Sequence, residues 1–292
     1  MEIEICKDIG ECKKLWNSFD VKKTLFDFWD YRLCFHNKES FEPYFVAWRN
    51  QREILGLLPL SFCKETNQYN YFGGWFPERN KFFLKDKTKI AELLKHCPND
   101  TFLEGIDPEE GKYYDFLEDE PTFFLDLSRY NHNFETYFGS FEKKKQKNIS
   151  SEMKKLPQHK IFYNRFEDFG RLAELNMKQF EEDSKFLNKS IAQGIKRLFH
   201  AARTKNCLEM ISVEIDGKVE AVDFGILHNK CYSAIIGGTN SQKIPNLGKL
   251  MLILDIKNAI AKNADFVDFF ATTGNWKNSW NLESEMLLKF KK

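Results

Sequence analysis

Asp223 stands in the middle of an apolar run, with Val219, Ala221 and Val222 just before it. A carboxylate desolvated in such a run has a raised pKa and can take a proton at neutral pH. If it lies on the outer face of a strand, it is an ordinary solvated Asp. Glu214 and Glu220 are weaker candidates for the same proton-accepting role. Tyr232 follows on the next strand-like run. Its phenol either protonates a leaving group or packs in the core with the hydroxyl at the rim. His228, beside Asn229, reads as a turn histidine. Beyond them, a strand ending at Gly237 leads through Gly238, a candidate for cofactor contact, and a short loop to Asn246-Leu-Gly-Lys249, where an apolar helix opens. The first N–H groups of a helix have no intrahelical partner, and the helix dipole adds partial positive charge there, so Asn246, Leu247, Gly248 and Lys249 suit a phosphate or pyrophosphate. A side chain at position 248 would hold a phosphate away from those groups.

The elements that must position these residues are legible from the pattern. Three strands are expected over 208–215, 218–227 and 231–237, the first two joined by Asp216-Gly217, a pair suited to positive φ at both turn positions. A helix is expected over 247–262. Leu247, Leu250, Met251, Leu254 and Ala261 form one stripe, widened by Ile253, Ile256 and Ile260, so most of its circumference should be buried. A strand over 264–270 closes the set. The amino-terminal part repeats this order: strands over 44–48, 53–62 and 69–74, a helix over 86–97 and a strand over 101–104. Gly73-Gly74 answers Gly237-Gly238. Repetition at this length argues for duplicated modules and against a solenoid. Where the second copy has its glycine loop, the first has Trp75-Phe-Pro-Glu-Arg-Asn-Lys-Phe-Phe83, which would crowd a phosphate. The expected organisation is therefore α/β with mixed sheets, split at an acidic linker over 107–121 into 1–121 and 122–292. Helices are expected over 8–18, 25–35, 134–156, 167–181 and 189–202. The dense aromatics at 25–35 are read as core, and the lysines within 143–155 as either a solvated face or a contact for an anionic partner.

Composition narrows the field. Forty-four basic and 43 acidic residues give a net charge of +1, so no global field draws the chain to nucleic acid or membrane. No apolar run approaches the ~20 residues of a membrane span, and the acidic amino terminus does not resemble a secretory signal. Seven cysteines, with no C-x-x-C pair, fit free thiols in a reducing cytoplasm and give a metal site no support.

Strand, hairpin, strand, glycine loop, helix and strand is the order that carries acyl-coenzyme A in the GNAT acyltransferase fold, and this segment resembles it. Gly248 matches the family's loop motif, whereas Leu250 fills a position usually small. Further matches resemble the FemABX-related branch, whose members carry two GNAT-like halves. They are Phe123-Phe-Leu-Asp-Leu-Ser128 followed by the basic 143–149 segment, Pro245-Asn-Leu-Gly248 before an apolar helix, and Asp268-Phe-Phe270 with Gly274-Asn-Trp-Lys277 and Trp280. The resemblance implies N-acyl transfer from acetyl-CoA or another acyl-CoA to an amine on an amino sugar, cell-envelope precursor or peptide. It implies that Lys277 binds a phosphate or the developing oxyanion, and that Trp276 and Trp280 wall the acceptor pocket. Two alternatives stay open: an aminoacyl-tRNA-dependent transferase that contacts tRNA through the 143–155 helix, or a non-catalytic module that kept the fold. Such transfer needs no covalent enzyme intermediate, so the absence of a Ser-His-Asp pattern does not count against it.

Overall fold

The computed structural model describes residues 2–20, 22–51, 53–271 and 277–292. The chain forms two compact units, one of residues 1–122, 193–198 and 285–292, the other of residues 123–192 and 199–284.

In the first unit β1 (Glu2–Cys6) leads to α1 (Ile9–Asn17), started by the Asp8 carboxylate accepting the Glu11 N–H at 2.9 Å. The expected helix over 25–35 is instead short: α2 (Trp29–Arg32) lies between two three-residue 3-10 turns. Its aromatics are core, as read from the sequence. Trp16 packs edge-on against Trp29 and Phe83, and Trp29 stacks on Phe72. Strands β2 (Phe41–Asn50), β3 (Glu53–Cys63), β4 (Gln68–Tyr71) and β5 (Phe83–Leu84) follow, in the antiparallel order β1-β2-β3-β4 with β5 also on β3. After α3 (Ile90–Leu94) comes β6 (Phe102–Ile106). The acidic stretch expected as a linker is not one. Asp107 and Glu110 are buried, paired with Lys81 at 3.7 Å and Lys87 at 2.5 Å, and β7 (Leu117–Asp126) starts inside it.

The second unit begins within β7. The expected single helix over 134–156 breaks at Ser140–Glu142 into α4 (Phe134–Gly139) and α5 (Lys143–Lys154). Then come β8 (His159–Tyr163), α6 (Phe169–Phe180), α7 (Lys189–Thr204), β9 (Leu208–Ile215), β10 (Lys218–His228), β11 (Cys231–Thr239), α8 (Leu247–Ala261) and β12 (Phe266–Ala271). β13 (Glu283–Lys291) closes the chain and pairs antiparallel to β6. The order in the second unit is β7-β12-β11-β10-β9-β8, antiparallel from β8 to β11, with β11 and β12 parallel across α8. The turn between β9 and β10 has Asp216 at φ 51° and Gly217 at φ 73°, the left-handed pair that Asp-Gly favours. Side chains alternate along β10. Phe224 packs against Phe169 and Phe199 on one face, while Asp223 turns to the face covered by α8. Leu247, Leu250, Met251, Leu252, Ile253, Leu254 and Ile256 of α8 are all buried.

Candidate active site

Two irregularities shape the centre of the second unit. The ladder between β11 and β12 runs through three pairs, Cys231↔Phe266, Tyr232↔Val267 and Ser233↔Asp268, and ends there. On the other edge of β11, Phe224 pairs with Ile236 but Gly225 with Ala234, so Ile235 is an extra residue, a β-bulge. A bulge bends its strand and increases the local twist. Here it falls just where β11 parts from β12, leaving a splay. Past the bulge, α6 stitches itself to β11. Asn176 Nδ2 donates to the Gly237 carbonyl at 2.6 Å, and the Thr239 N–H donates to Gln179 Oε1 at 2.7 Å. The Asn240 N–H faces β10, donating to Glu220 O at 2.8 Å. Alternate residues present their backbone groups to opposite edges, so Gly237 and Thr239 face the splay. The stretch of that edge left to a ligand is the bulge itself, Ala234–Ile236.

Gly238, expected at the cofactor, has another task. A Cβ there would lie 2.5 Å from the Asn176 backbone nitrogen and 2.9 Å from Leu172 O, so its missing side chain lets α6 approach β11. At the start of α8, Asn246 takes the left-handed conformation, φ 67°, and its carbonyl accepts the N–H groups of Lys249 and Leu250. A Cβ on Gly248 would meet nothing within 4 Å, and the first turn holds no acidic residue. There is open space at this helix start, and no carboxylate in its first turn opposes the partial positive charge of the helix dipole there. Leu247, however, is 0% exposed and belongs to the core, and the Lys249 ammonium is paired with Glu152 at 2.7 Å.

Asp223, Tyr232 and a third residue, Asp255 of α8, converge from three elements. The Tyr232 hydroxyl donates to Asp255 Oδ1 at 2.8 Å, and the Asp255 and Asp223 carboxyls hydrogen-bond to each other. Two glycines make the room: a Cβ on Gly237 would sit 2.0 Å from Asp223 Oδ1, and one on Gly225 2.6 Å from the Tyr232 ring. Tyr232 is 0% and Asp255 4% exposed, whereas Asp223 as a residue is half-buried. Burial pushes the Asp255 carboxyl up to about 6 against the hydrogen bonds from Tyr232 and Asp223. Burial first, and then Asp255, push Asp223 well above the usual carboxylate range. The Tyr232 phenol is likewise pushed well above its ordinary value by burial and by Asp255. With its proton committed to Asp255 and no solvent access, Tyr232 is not poised to protonate a leaving group. Asp255 was not among the residues singled out from the sequence. The signal available was a lone carboxylate in an otherwise apolar stripe.

Lys277, expected to meet an anion, turns inward. It is 1% exposed, and its ammonium donates to the carbonyls of Phe269, at 2.5 Å, and Phe270, at the end of β12. Trp280 is core rather than pocket wall, 3% exposed and edge-on to Phe141, with its carbonyl accepting the Tyr137 hydroxyl. Trp276 lies outside the described residues. On α5, Lys143, Lys147 and Lys154, with Phe138, Ser150 and Ser151, line an open groove of about 450 Å³. Among the described residues no cluster of His, Cys, Asp and Glu is arranged to hold a metal ion, and no helix is long and apolar enough to cross a membrane.

A family model for an acetyltransferase (GNAT) domain matches residues 143–278. Among solved structures the chain is similar in fold to FemX, with a TM-score of 0.60 and 13% identity over 99% of this chain and 96% of that one. The L-PGS of Bacillus licheniformis gives a TM-score of 0.59 at 10% identity, over 100% and 94% of the two chains. A tandem GNAT protein from the clavulanic acid biosynthesis pathway gives 0.54 at 9% identity, over 99% and 98%. No curated protein sequence matches the chain.

Proposed function

We propose that this chain, which shares the fold of tandem GNAT proteins, is an N-acyltransferase related to the FemABX group. It moves an acyl group from acetyl-CoA or another acyl-CoA to an amine of an amino sugar, a cell-envelope precursor or a peptide. The observation that carries this reading is the splay at Ser233↔Asp268, bordered by the Ile235 bulge, in a unit whose half-buried Asp223 has its carboxyl group pushed up by burial. The open start of α8, at Asn246 and Gly248, would hold the donor's phosphates, with no carboxylate in the first turn to oppose them. When bound, the donor supplies an activated thioester carbonyl. The edge at Ala234–Ile236 offers backbone groups to orient it, and α6 and α8 keep bulk water from both faces of the sheet. Asp223 takes the amine's proton at its carboxylate, directly or through water. The free state of all seven cysteines fits a reducing compartment, and the proposed site of action is the cytoplasm.

The melting temperature with and without millimolar acetyl-CoA tests this, on wild type and on Gly248→Trp. A ligand at about 100 times its Kd stabilises the folded form by about 2.7 kcal/mol, a shift of a few degrees. The shift is expected in wild type and lost in the variant. Its absence in wild type turns the reading to the second one, an aminoacyl-tRNA donor, which the Lys143, Lys147 and Lys154 groove favours. tRNA binding would then weaken steeply with salt, and less steeply once those lysines are neutralised. Binding of neither donor would leave a GNAT shell without catalysis.

A further inference from the structure

The α8-covered face of the second unit holds more ionisable groups than packing calls for. From β10 comes Asp223, from β11 Tyr232 and from α8 Asp255. From β9 comes Glu209, ion-paired to Lys262 at 2.9 Å and accepting from Asn258 Nδ2 at 3.3 Å, so its charge is already answered. Among the described residues no Lys or Arg is ion-paired to Asp223 or Asp255. Two carboxyl groups in contact without a counter-ion cannot both ionise cheaply, and the lower-energy state keeps one proton between them. The fold forgoes side chains at Gly225 and Gly237 to seat this group. A hydrophobic substitute would cost less under an apolar helix, which argues that the pair does something beyond holding α8 in place.

Of the two residues Asp223 is the less buried. We propose that Asp223 and Asp255 work as a one-proton carboxyl pair. Asp223 is the member that meets the substrate and carries the resting proton, and Asp255, clamped by the Tyr232 hydroxyl, is a positioning residue that accepts that proton's hydrogen bond. This rests on the acyl transfer proposed above. As the C–N bond forms, the amine nitrogen's proton passes to Asp223 while the proton already there shifts to Asp255, and the pair becomes doubly protonated. As the C–S bond breaks with its electron pair on sulfur, the pair returns one proton to that sulfur and regains its single shared proton. Protons and electrons balance with no other reactant than the amine and the thioester. The arrangement lets one buried site be acceptor and then donor. It accounts for a tyrosine that points its proton at a carboxylate instead of at the splay.

The test counts protons in the free protein, then follows turnover. With Asp carboxyl carbons labelled, NMR across pH 3 to 9 should show one carboxyl of the pair still protonated at pH 8. That signal should be gone in Asp255→Asn and in Asp223→Asn, each shown to be folded by its melting curve. Tyr232→Phe, which removes only the clamp, should keep the signal but move its titration. In turnover, Asp255→Asn should lower kcat by about 10- to 100-fold with the KM for acyl-CoA unchanged, the range of a lost proton-transfer contribution. Two carboxyls that ionise in the ordinary range near pH 4 overturn the pair, whatever the activity. A proton that survives in Asp223→Asn shows that the two groups do not share it and overturns the pair as well. A shared proton together with full transfer by folded Asp223→Asn leaves the pair standing but refutes its catalytic use and the base assigned above. A shared proton in a protein that binds acyl-CoA without transferring it refutes the acyltransferase reading on its own.

Discussion

Alanine placed at Gly238 and at Gly248, ten residues apart, should change stability in opposite directions, and the contrast tests how the glycines of this segment are used. At Gly238 the new Cβ meets Asn176 N at 2.5 Å, Leu172 O at 2.9 Å and Leu175 C at 3.0 Å, all backbone atoms of α6. No rotamer change relieves that, so the helix must move off the sheet. Overpacking of this kind costs about 1–3 kcal/mol. A shift of α6 also strains the Asn176–Gly237 and Gln179–Thr239 hydrogen bonds, each contributing about 1 kcal/mol. Stiffening of the unfolded chain by Ala returns about 0.5–1 kcal/mol. The net expectation is a loss of about 3 kcal/mol, a fall in Tm of roughly 6–12 °C for a chain of this size. At Gly248 the Cβ meets nothing, and Ala in a helix is better than Gly by up to about 1 kcal/mol, less in the first turn. Tm should rise by about 1–3 °C. Calorimetric melting of both variants, with circular dichroism to confirm folding, decides it. If Gly238→Ala melts within a degree of wild type, α6 does not press on β11 and the stitched edge described above is wrong. If Gly248→Ala is destabilised instead, the α8 start is not open, and the phosphate cradle fails with it.

Two further outcomes are expected. His36 is 7% exposed, stacks on Phe72 with ring centroids 5.0 Å apart, and leaves Nδ1 buried without a hydrogen-bond partner. Burial, then Lys38 and Arg197, lower its pKa to about 4, so its contribution to stability is complete above the ordinary 6.5 and is lost as pH falls from 6.5 to about 4. At 1.36 kcal/mol per unit that is about 3 kcal/mol, and urea unfolding of His36→Leu should lack this dependence, whereas an unchanged slope would refute the assignment. Lys277→Met should cost about 2–4 kcal/mol by stranding buried carbonyls at the end of β12, while Lys249→Met, removing a half-exposed pair with Glu152, should cost less than about 1 kcal/mol. Equal losses in denaturant titration would mean that Lys277 is as solvated as an ordinary loop lysine.

Local chemistry made much of the fold readable. Asp-Gly at 216–217 set a hairpin because few other pairs take positive φ twice, and the apolar circumference of α8 announced a buried helix. The order of elements, given twice, announced two GNAT halves. What failed was whatever depends on a partner distant in sequence. Asp107 and Glu110 read as part of an acidic linker, because nothing local discloses that Lys81 and Lys87 lie beside them. The helix over 25–35 dissolved into turns, because the core wanted its aromatics in different directions.

The site divides along the same line. Sequence by itself determined that an apolar helix opens at Asn246 and Gly248 without a side chain at position 248, since these are properties of the segment. It also showed apolar neighbours of Asp223 along the chain, leaving its burial open. Only the tertiary structure decided that Asp223 meets a second carboxyl on α8, that Gly238 serves helix packing, that Lys277 turns into the core, and that β11 leaves β12 at an Ile235 bulge. A side chain's direction, and hence its charge state, follows from what the opposite element presents, and that is settled by packing between segments far apart in the chain.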